Sequence, residues 1–453
     1  MAEVPENLCP MHREKTMHAI KAEHAVKRIT FNPSEANPGN TLYVYVPKLN
    51  KNEVLVPGSL ALVFGINLSR GHANNFLVKN VTRALVDRLV MSFAGRTLQD
   101  TVGYEIYKTF EDLFLLQEEH DNRILKGIQS EAICKTRSGA GDKKTAGISK
   151  SEQKINKVYG TKYRIRLDHQ ILTDHGVFYP QALYNDLKFD VKLAEAIHMV
   201  KGTDTTKLKY KLTNIQLEYK MIRSKTLADQ ARSVYTSGKE LLYDHMMHDK
   251  EVTFKKESDP RLTIKVNAQR RSLKAFLLLF VEPYTAGERD SEKFIFPDLT
   301  KVSVMVNGSP NMLYKYGIEG KDMWEEACNL FVKEKNITEH MDMTKFYTGD
   351  KFGLVIDMHP MADQNMHGSG TRIVNSTDGV QLEIERKKNP KDVTGDVICH
   401  VFVISDSQLN LMGSHLKMCS IEYEQRCARQ KLSPVGRHGP RQDTLQHSHR
   451  GAD

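Results

Sequence analysis

Apolar and polar residues alternate in many short runs along the chain. Alternation with a period of two is typical of a β-strand that has one buried face. The clearest runs are Thr41–Leu49, Lys162–Asp168, Leu187–Ala194, Leu208–Ile222, Arg261–Ala268, Val380–Lys387 and Asp396–Asp406. Dipeptides that favour tight turns separate several of these runs, for example Asn307-Gly308 and Asp378-Gly379. Because strands and helices do not alternate regularly, the pattern predicts antiparallel sheets rather than a parallel one.

Three segments carry a helical pattern instead. Tyr104–Leu116 and Lys321–Phe331 each place their apolar residues on one face of a helix. The two stripes consist of Phe110, Leu113 and Phe114 in the first, and Trp324, Ala327, Cys328 and Phe331 in the second. Ser224–His245 is also predicted to be helical. Many short strands with few inserted helices predict an all-β fold of the sandwich or jelly-roll type.

The second half of the chain repeats the first. VMSFAGRT is similar to VSVMVNGS, which pairs Gly95 with Gly308 at an offset of 213 residues. Two further pairs of strings match Phe64 with Phe280 and Glu218 with Glu422, at offsets of 216 and 204. The order is kept and the offset is nearly constant, so we expect two copies of one fold rather than a repeat array. The fold class predicted is two tandem jelly-roll β-sandwiches with short inserted helices.

The repeat divides the 453 residues into five predicted segments. These are an N-terminal arm (1–25), a first jelly roll (26–223), a helical linker (224–245), a second jelly roll (246–430) and a disordered C-terminal tail (431–453). The shrinking offset indicates extra residues in the first roll, and 135–157 is the obvious candidate.

The segment Lys135–Lys157 is predicted to be an exposed, mobile loop, because it lacks apolar periodicity and is rich in Gly, Ser and Lys. Its basic residues are Lys135, Arg137, Lys143, Lys144, Lys150, Lys154 and Lys157, against only two acidic ones. They would suit contact with an acidic partner. A solvated surface loop explains the same residues without any partner.

Composition places the chain among globular proteins. Hydrophobic residues make up 40% and charged residues 27%, which is enough apolar surface for a core and argues against wholesale disorder. The longest apolar run, Ala275–Val281, is too short to span a membrane. The N-terminus lacks the apolar core of a secretory signal, so we expect an intracellular protein that is not secreted. Six scattered cysteines without a CxxC pair indicate reduced thiols.

The sequence contains no convincing catalytic constellation, so we expect neither enzymatic activity nor a cofactor or metal. His245-Met-Met-His248 has the spacing of metal ligands but lacks the HExxH pattern, and we interpret it as a surface or linker histidine pair. His400 lies in an apolar strand and is expected to be a core histidine with a hydrogen-bond partner rather than a metal ligand. The glycine-rich stretch His367–Arg372 lacks the Lys-Ser/Thr ending of a phosphate loop.

Three strings in the chain resemble a known family. Val78–Leu115 resembles the first-roll segment of the double jelly-roll major capsid proteins of adintoviruses and Polinton (Maverick) elements. Phe294–Phe331 looks like its second-roll counterpart, and Asp396–Leu411 resembles the closing part of that roll. The resemblance covers most of Val26–Gln430 and leaves out both ends and the basic loop.

The resemblance implies a structural major capsid protein. Three chains would form a homotrimer with six rolls, a pseudo-hexagonal capsomer that tiles an icosahedral shell around DNA. The implied partners are other copies of the chain, a minor capsid or penton protein, and packaged double-stranded DNA attracted by non-specific charge. The net charge of +9 suits the last of these. The implied location is the virion, after a stage in the cytoplasm or nucleus.

Two other classes of function stay open at this point. A tandem β-sandwich binding module of host origin, derived from a domesticated mobile element, would be a stable monomer with an aromatic-lined groove. A cupin-type enzyme would need clustered His and Glu on facing strands. The chain has 18 histidines but no cupin-like G-x5-H-x-H arrangement, so this hypothesis ranks last.

Overall fold

The structure is a computed structural model. It describes residues 22–69, 75–115, 134–135, 162–202, 208–255, 260–331, 341–359, 370–373, 379–387 and 395–411. The predicted C-terminal tail and nearly all of the N-terminal arm lie outside these ranges.

Strands β1 to β11 come from the first half of the chain. They are β1 Glu23–Thr30, β2 Thr41–Tyr45, β3 Glu53–Leu55, β4 Ala61–Ser69, β5 Phe76–Leu77, β6 Val86–Phe93, β7 Arg96–Val102, β8 Lys162–Arg166, β9 Leu187–Leu193, β10 Val200–Lys201 and β11 Lys209–Arg223. Sheet 1a has the order β1-β11-β4-β8, with β3 also paired to β11. Sheet 1b has the order β2-β9-β6-β7, and β5 pairs with β10.

Strands β12 to β21 come from the second half. They are β12 Lys239–Phe254, β13 Arg261–Val266, β14 Arg270–Val281, β15 Leu299–Val306, β16 Ser309–Pro310, β17 Ile318–Glu319, β18 Gly353–Asp357, β19 Thr371–Ile373, β20 Val380–Arg386 and β21 Val397–Leu411. Sheet 2a has the order β12-β21-β14-β18, with β19 on β14. Sheet 2b has the order β13-β20-β15-β16, with β17 on β15.

The two halves share one strand topology. In each half the first long strand pairs with the last one, β1 with β11 and β12 with β21, and that last strand also pairs with β4 or β14, respectively. Four further strands of each half form the second sheet in matching order, β2-β9-β6-β7 and β13-β20-β15-β16. Two four-stranded antiparallel sheets connected in this way make a jelly roll. The chain is therefore a tandem of two jelly rolls, and the predicted fold class is confirmed.

Short helices connect the strands. They are α1 Val81–Ala84, α2 Tyr104–Asp112, α3 Gln170–Thr173, α4 Ala196–Met199, α5 Lys225–Ser237, α6 Met323–Phe331 and α7 Met343–Thr348, with a 3₁₀-helix at Pro180–Ala182. Helices α2 and α6 confirm two of the predicted helical segments. Among the residues that the structure describes, no helix has the length and apolar content needed to cross a membrane.

The third predicted helix, Ser224–His245, is shorter in the structure. Ser224 caps α5 by accepting a hydrogen bond from the Leu227 amide, and the helix ends at Ser237 rather than at His245. Gly238 follows with a φ of 103°, a backbone conformation that residues with a side chain rarely adopt. The next residues pair with β21 as part of β12. His245 and His248 therefore lie on a strand.

Strand bounds also differ from two predicted domain limits. β1 begins at Glu23, inside the predicted arm, and β12 begins at Lys239, inside the predicted linker. In both cases long-range pairing with the closing strand of the same roll extends the sheet. The division of the chain into five segments itself stays a prediction.

The repeat that the sequence indicated has a clear structural counterpart at its hairpins. Ala94-Gly95 and Asn307-Gly308 both have positive φ angles, 52° and 74° in the first and 54° and 74° in the second. Two consecutive residues of this kind form the type I′ turn that suits a two-residue hairpin. The pairing of Gly95 with Gly308 is thus confirmed.

The pairing of Glu218 with Glu422 was wrong. Glu218 lies on β11, and the strand that takes the place of β11 in the second roll is β21, which ends at Leu411. The similar string Met418–Arg426 lies outside the described residues. A short match of apolar and acidic letters does not reveal which strand closes the sheet.

Candidate functional site: the contact between the two rolls

Helices α2 and α6 hold the two rolls together through an aromatic cluster. The Phe110 ring lies 5.2 Å from Phe294 and 5.5 Å from Phe331, and the Phe114 ring stacks on Phe331 at 5.0 Å. Phe110 is fully buried. Edge-to-face and stacked pairs of this kind add to the apolar burial that each ring provides. The predicted stripes of the two helices therefore face each other across the contact.

A buried ion pair fixes the position of α2. The Nε of Arg83 donates to Oδ2 of Asp112 at 2.9 Å, and its Nη2 donates to Asp168 at 3.0 Å. Burial alone would lower the pKa of Arg83, but the two carboxylates outweigh burial and raise it well above its usual value. Since such pairs hardly change net stability when complete, their effect here is to orient the helix.

Strand β7 and helix α2 of the first roll cover the outer face of sheet 2a. The hydroxyl of Thr101 donates to the carbonyl of Met246 at 2.9 Å, and the ring of Phe402 lies 5.8 Å from that of Tyr107. Gly103 stands between β7 and α2 with a φ of 64°, which favours glycine at this turn. The position lies against the sheet, since a Cβ there would be in van der Waals contact with Phe402 at 3.6 Å.

A polar network extends the contact at one end. Gln170 of α3 donates from Nε2 to Oδ2 of Asp244 at 2.9 Å. The ammonium of Lys274 lies 2.8 Å from Oδ1 of Asp244 and 3.5 Å from Oδ1 of Asp406. Burial lowers the pKa of Lys274, but the two carboxylates outweigh it and raise that pKa overall. The network links the first roll to β12, β14 and β21.

A second polar contact between the rolls involves Glu105 in the first turn of α2. Arg289 lies 3.8 Å from Glu105 and donates from Nη1 to the carbonyl of His198 at 2.9 Å. The Tyr284 ring stacks edge-on with His198 at 4.3 Å. Burial raises the pKa of Glu105 to about 8, although Arg289 acts in the opposite direction. The adjoining cavity of about 60 Å³ is much smaller than a typical small-molecule site. The contacts of Arg289 and Tyr284 with Glu105 and His198 join the second roll to the first.

The two rolls use different surfaces in this contact. The first roll contributes the side that carries β7, α2 and α3, whereas the second contributes the outer face of β12 and β21, together with Phe331 of α6 in the aromatic cluster. The structural counterparts of those surfaces are the β16 side of the second roll and the β1 side of the first roll. The pairing of strands across the contact is therefore head-to-tail, and the described residues leave the strand β16 and the outer face at β1 without a cover.

The uncovered counterparts carry exposed apolar side chains. On β1, Val26 is 56% exposed on the outer face of sheet 1a, while Ile29, 47% exposed, points to the opposite face. Just after β16, Met312 is 83%, Leu313 48% and Tyr316 80% exposed. The other large exposed apolar residues of the described chain are Tyr43, Tyr45, Val102, Tyr184 and Met343. Exposed apolar groups collected on a surface, rather than scattered singly, indicate a contact with another protein.

Of the residues singled out in the sequence, Lys135 and His400 are among those that the structure describes. Lys135 lies within the described residues, with its ammonium 5.0 Å from the centre of the Phe76 ring. The other basic residues of the predicted loop, namely Arg137, Lys143, Lys144, Lys150, Lys154 and Lys157, lie outside the described residues. His400 is buried and its Nδ1 lies 3.2 Å from Nε2 of His248, which confirms a core histidine with a hydrogen-bond partner.

Sequence reasoning missed most of the inter-roll contact. Arg83, Thr101, Gln170 and Phe402 carry no motif, because each acts through a partner more than 25 positions away. One signal was present in the sequence. Ala275–Val281 is apolar without alternation, which is typical of a strand buried on both faces.

Comparisons with solved structures identify the class of this fold. The quasi-atomic model of the PBCV-1 virus capsid matches with a TM-score of 0.58 at 11% identity, covering 89% of this chain and 98% of that one. The Faustovirus major capsid protein matches with a TM-score of 0.55 at 8% identity, covering 89% and 92%. PBCV-1 VP54, fitted into a reconstruction of the virophage Sputnik, gives 0.55 at 10% identity, covering 89% and 98%.

No protein-family model and no curated protein matches the sequence. At identities near 10% the structural likeness establishes the fold alone, which is the double jelly roll found in viral major capsid proteins. This fold does not distinguish the adintovirus or Polinton branch from the others.

Proposed function

We propose that this chain is a major capsid protein that forms homotrimeric, pseudo-hexagonal capsomers of an icosahedral shell around DNA. The observation that carries the proposal is the head-to-tail contact between the two rolls. Sheet 2a is covered by the β7 side of the first roll, while within the described part of the chain the matching face of sheet 1a has no such cover. The capsid proteins with the same fold support this role.

A head-to-tail contact between similar units either closes into a ring or continues as a filament. If the contact within the chain is repeated between chains, the β16 side of one chain meets the β1 side of the next. Three chains then place six rolls around one axis. The duplication in the sequence thus gives a threefold assembly a nearly sixfold outline, which packs on a surface as a hexagon does.

The partner of the exposed apolar residues is, on this account, a second copy of the same chain. Met312 and Tyr316 follow β16 as Tyr104 and Tyr107 follow β7. Tyr107 packs on the outer face of sheet 2a, so the residues after β16 would pack on the equivalent face of sheet 1a, near Val26. The position in the topology therefore predicts both members of the contact.

Further partners follow from the geometry of a shell. A hexagonal capsomer leaves the fivefold vertices unfilled, so a minor capsid or penton protein would occupy them. The net charge of +9 and the basic segment 135–157 support contact with packaged DNA through non-specific charge. We place the protein in the virion. We assign it to the adintovirus or Polinton type on the strings at Val78–Leu115 and Phe294–Phe331.

Two matched substitutions test this proposal. Tyr316→Asp places a charge in the proposed contact between chains, and Tyr184→Asp places one at a similarly exposed tyrosine elsewhere, 73% exposed. We expect Tyr316→Asp to yield folded monomers and Tyr184→Asp to retain trimers with hexagonal outlines in negative-stain images. Trimers that persist in Tyr316→Asp, or that are lost equally in both variants, would contradict the assignment of the contact. A wild-type monomer would favour the binding-module alternative.

A further inference from the structure

Strand β12 contains a β-bulge at Asp249. His248 lies opposite Phe402 on β21, but Lys250 lies opposite Val401 and Glu251 opposite His400, so one residue is inserted between them. Residues three apart on a regular strand point to opposite faces. The bulge changes the direction of the residues that follow it. His248 and Glu251 each lie opposite a residue of β21, Phe402 and His400, and these two are two apart and share a face. His248, Glu251 and His400 therefore point to the same side of sheet 2a.

The bulge brings three potential ligand atoms together. Nε2 of His248 lies 3.2 Å from Nδ1 of His400, and Oε1 of Glu251 lies 3.6 Å from the same Nδ1. All three groups offer a ligand atom within 4.8 Å of one another. Metal–nitrogen and metal–oxygen bonds near 2.1 Å place two neighbouring ligand atoms about 3.0 to 3.4 Å apart. The spacing of the two imidazole nitrogens falls within that range.

The placement of the side chains suits metal binding. An imidazole binds a metal ion through the lone pair of a ring nitrogen, and His248 and His400 turn one ring nitrogen each toward the same point. His400 and His248 come from two paired strands and are held in place by the sheet and by the Phe402 ring, 5.1 Å from His248. Glu251 is more than half exposed, which leaves an entry path from solvent.

We propose that His248, Glu251 and His400 form a binding site for one divalent transition-metal ion of the zinc class. Two imidazoles and one carboxylate form a donor set that suits Zn²⁺. Mg²⁺ and Ca²⁺ instead take oxygen ligands. Water would complete the coordination. The site tethers the two strands β12 and β21 beside the face that the first roll covers, so the ion would stabilise the surface on which the rolls meet.

Calorimetric titration of the full-length, chelator-treated protein with ZnCl₂ tests the proposal. Histidines elsewhere in the chain also bind zinc, so the comparison between variants decides the outcome. We expect wild-type protein to bind one more equivalent of Zn²⁺ than His248→Ala. We expect Glu251→Gln, at an exposed position that tolerates change, to weaken that equivalent at least tenfold. Co²⁺ at the same site should give a visible d–d absorption that both variants lose.

Matched controls are Glu240→Gln, an exposed carboxylate on the same strand, and His24→Ala, an exposed histidine on β1. Both should bind Zn²⁺ as wild type does. Equal stoichiometry and affinity in wild type, His248→Ala and Glu251→Gln would overturn the proposal. So would loss of the same equivalent in the two controls. These readouts do not depend on trimer formation and are therefore independent of the proposed capsid function.

Discussion

Sheets 1a and 2a have the same strand order but opposite surroundings. In sheet 2a, β21 is buried along nearly its whole length, on both faces. In sheet 1a, the equivalent strand β11 alternates between buried and partly exposed residues, and the edge strand β1 is mostly exposed. The same topology thus supports one sheet that lies inside the molecule and one that lies at its surface.

The side chains on the outer faces of the two sheets differ in the same way. The outer face of sheet 2a presents Phe402 and His400, whereas that of sheet 1a carries Glu218 paired with Arg28 at 2.7 Å and with Arg164. Exposed Lys209 and Lys220 lie on the same strand, β11. A largely apolar face is stable only when other residues of the protein cover it, whereas a charged face is stable in contact with water. The two copies of the roll have therefore diverged according to whether the outer face is covered by the other roll of the same chain.

The aromatic cluster gives the strongest test of the covered face. Phe110→Ala removes a fully buried ring that touches both rolls, so we expect a loss of about 3–5 kcal/mol in the free energy of unfolding. Urea denaturation followed by fluorescence measures this loss. Tyr45→Ala, on the exposed edge strand β2, serves as the control and should change stability by less than about 0.5 kcal/mol. Similar losses in both variants would mean that the cluster does not hold the rolls together.

Lys274 tests the polar end of the same contact. Lys274→Met leaves the carboxylates of Asp244 and Asp406 without their shared cation, and we expect a cost of about 3 kcal/mol. The matched control is Lys293→Met, because Lys293 pairs with Glu282 at a more exposed site and should contribute about 0–1 kcal/mol. Thermal unfolding of both variants at pH 7 makes the comparison. Equal effects would show that burial adds nothing to the Lys274 network.

Glu105 gives the contact a pH dependence. Burial raises its pKa to about 8 from a usual value near 4.5, with Arg289 opposing and Asp87 and Glu251 adding to the shift. The folded state therefore binds a proton that the unfolded state has lost, and stability should fall between pH 4.5 and about 8, by up to about 1.4 kcal/mol per pH unit. Glu105→Gln should flatten this part of the profile. A parallel profile in wild type and variant would contradict the assignment.

The two hairpins provide the smallest and most symmetrical test. Gly95 and Gly308 have the same φ of 74°, and a Cβ would meet no atom within 4 Å at either position. Gly95→Ala and Gly308→Ala should each cost about 1 kcal/mol, from backbone strain alone. Denaturation of the two variants side by side measures the costs. Values that differ by more than about 1 kcal/mol would show that the two turns are not equivalent.

Local patterns predicted the parts of this fold that depend on neighbours in the sequence. The Asn307-Gly308 turn, the stripe of α2 and the alternation of β9 all appear where the sequence placed them. The start of β12 was missed, because Lys239–His245 is rich in helix formers and only its pairing with β21 makes it a strand. The bulge at Asp249 also depends on that pairing. The surfaces that meet across the rolls depend on tertiary arrangement, which no local pattern contains.

The central claim is that the head-to-tail contact within the chain is repeated between chains. Size-exclusion chromatography with multi-angle light scattering on the wild-type protein tests it most directly. We expect a stable trimer with three times the mass of the chain. A monomer at every concentration, or a dimer that does not grow further, would contradict it.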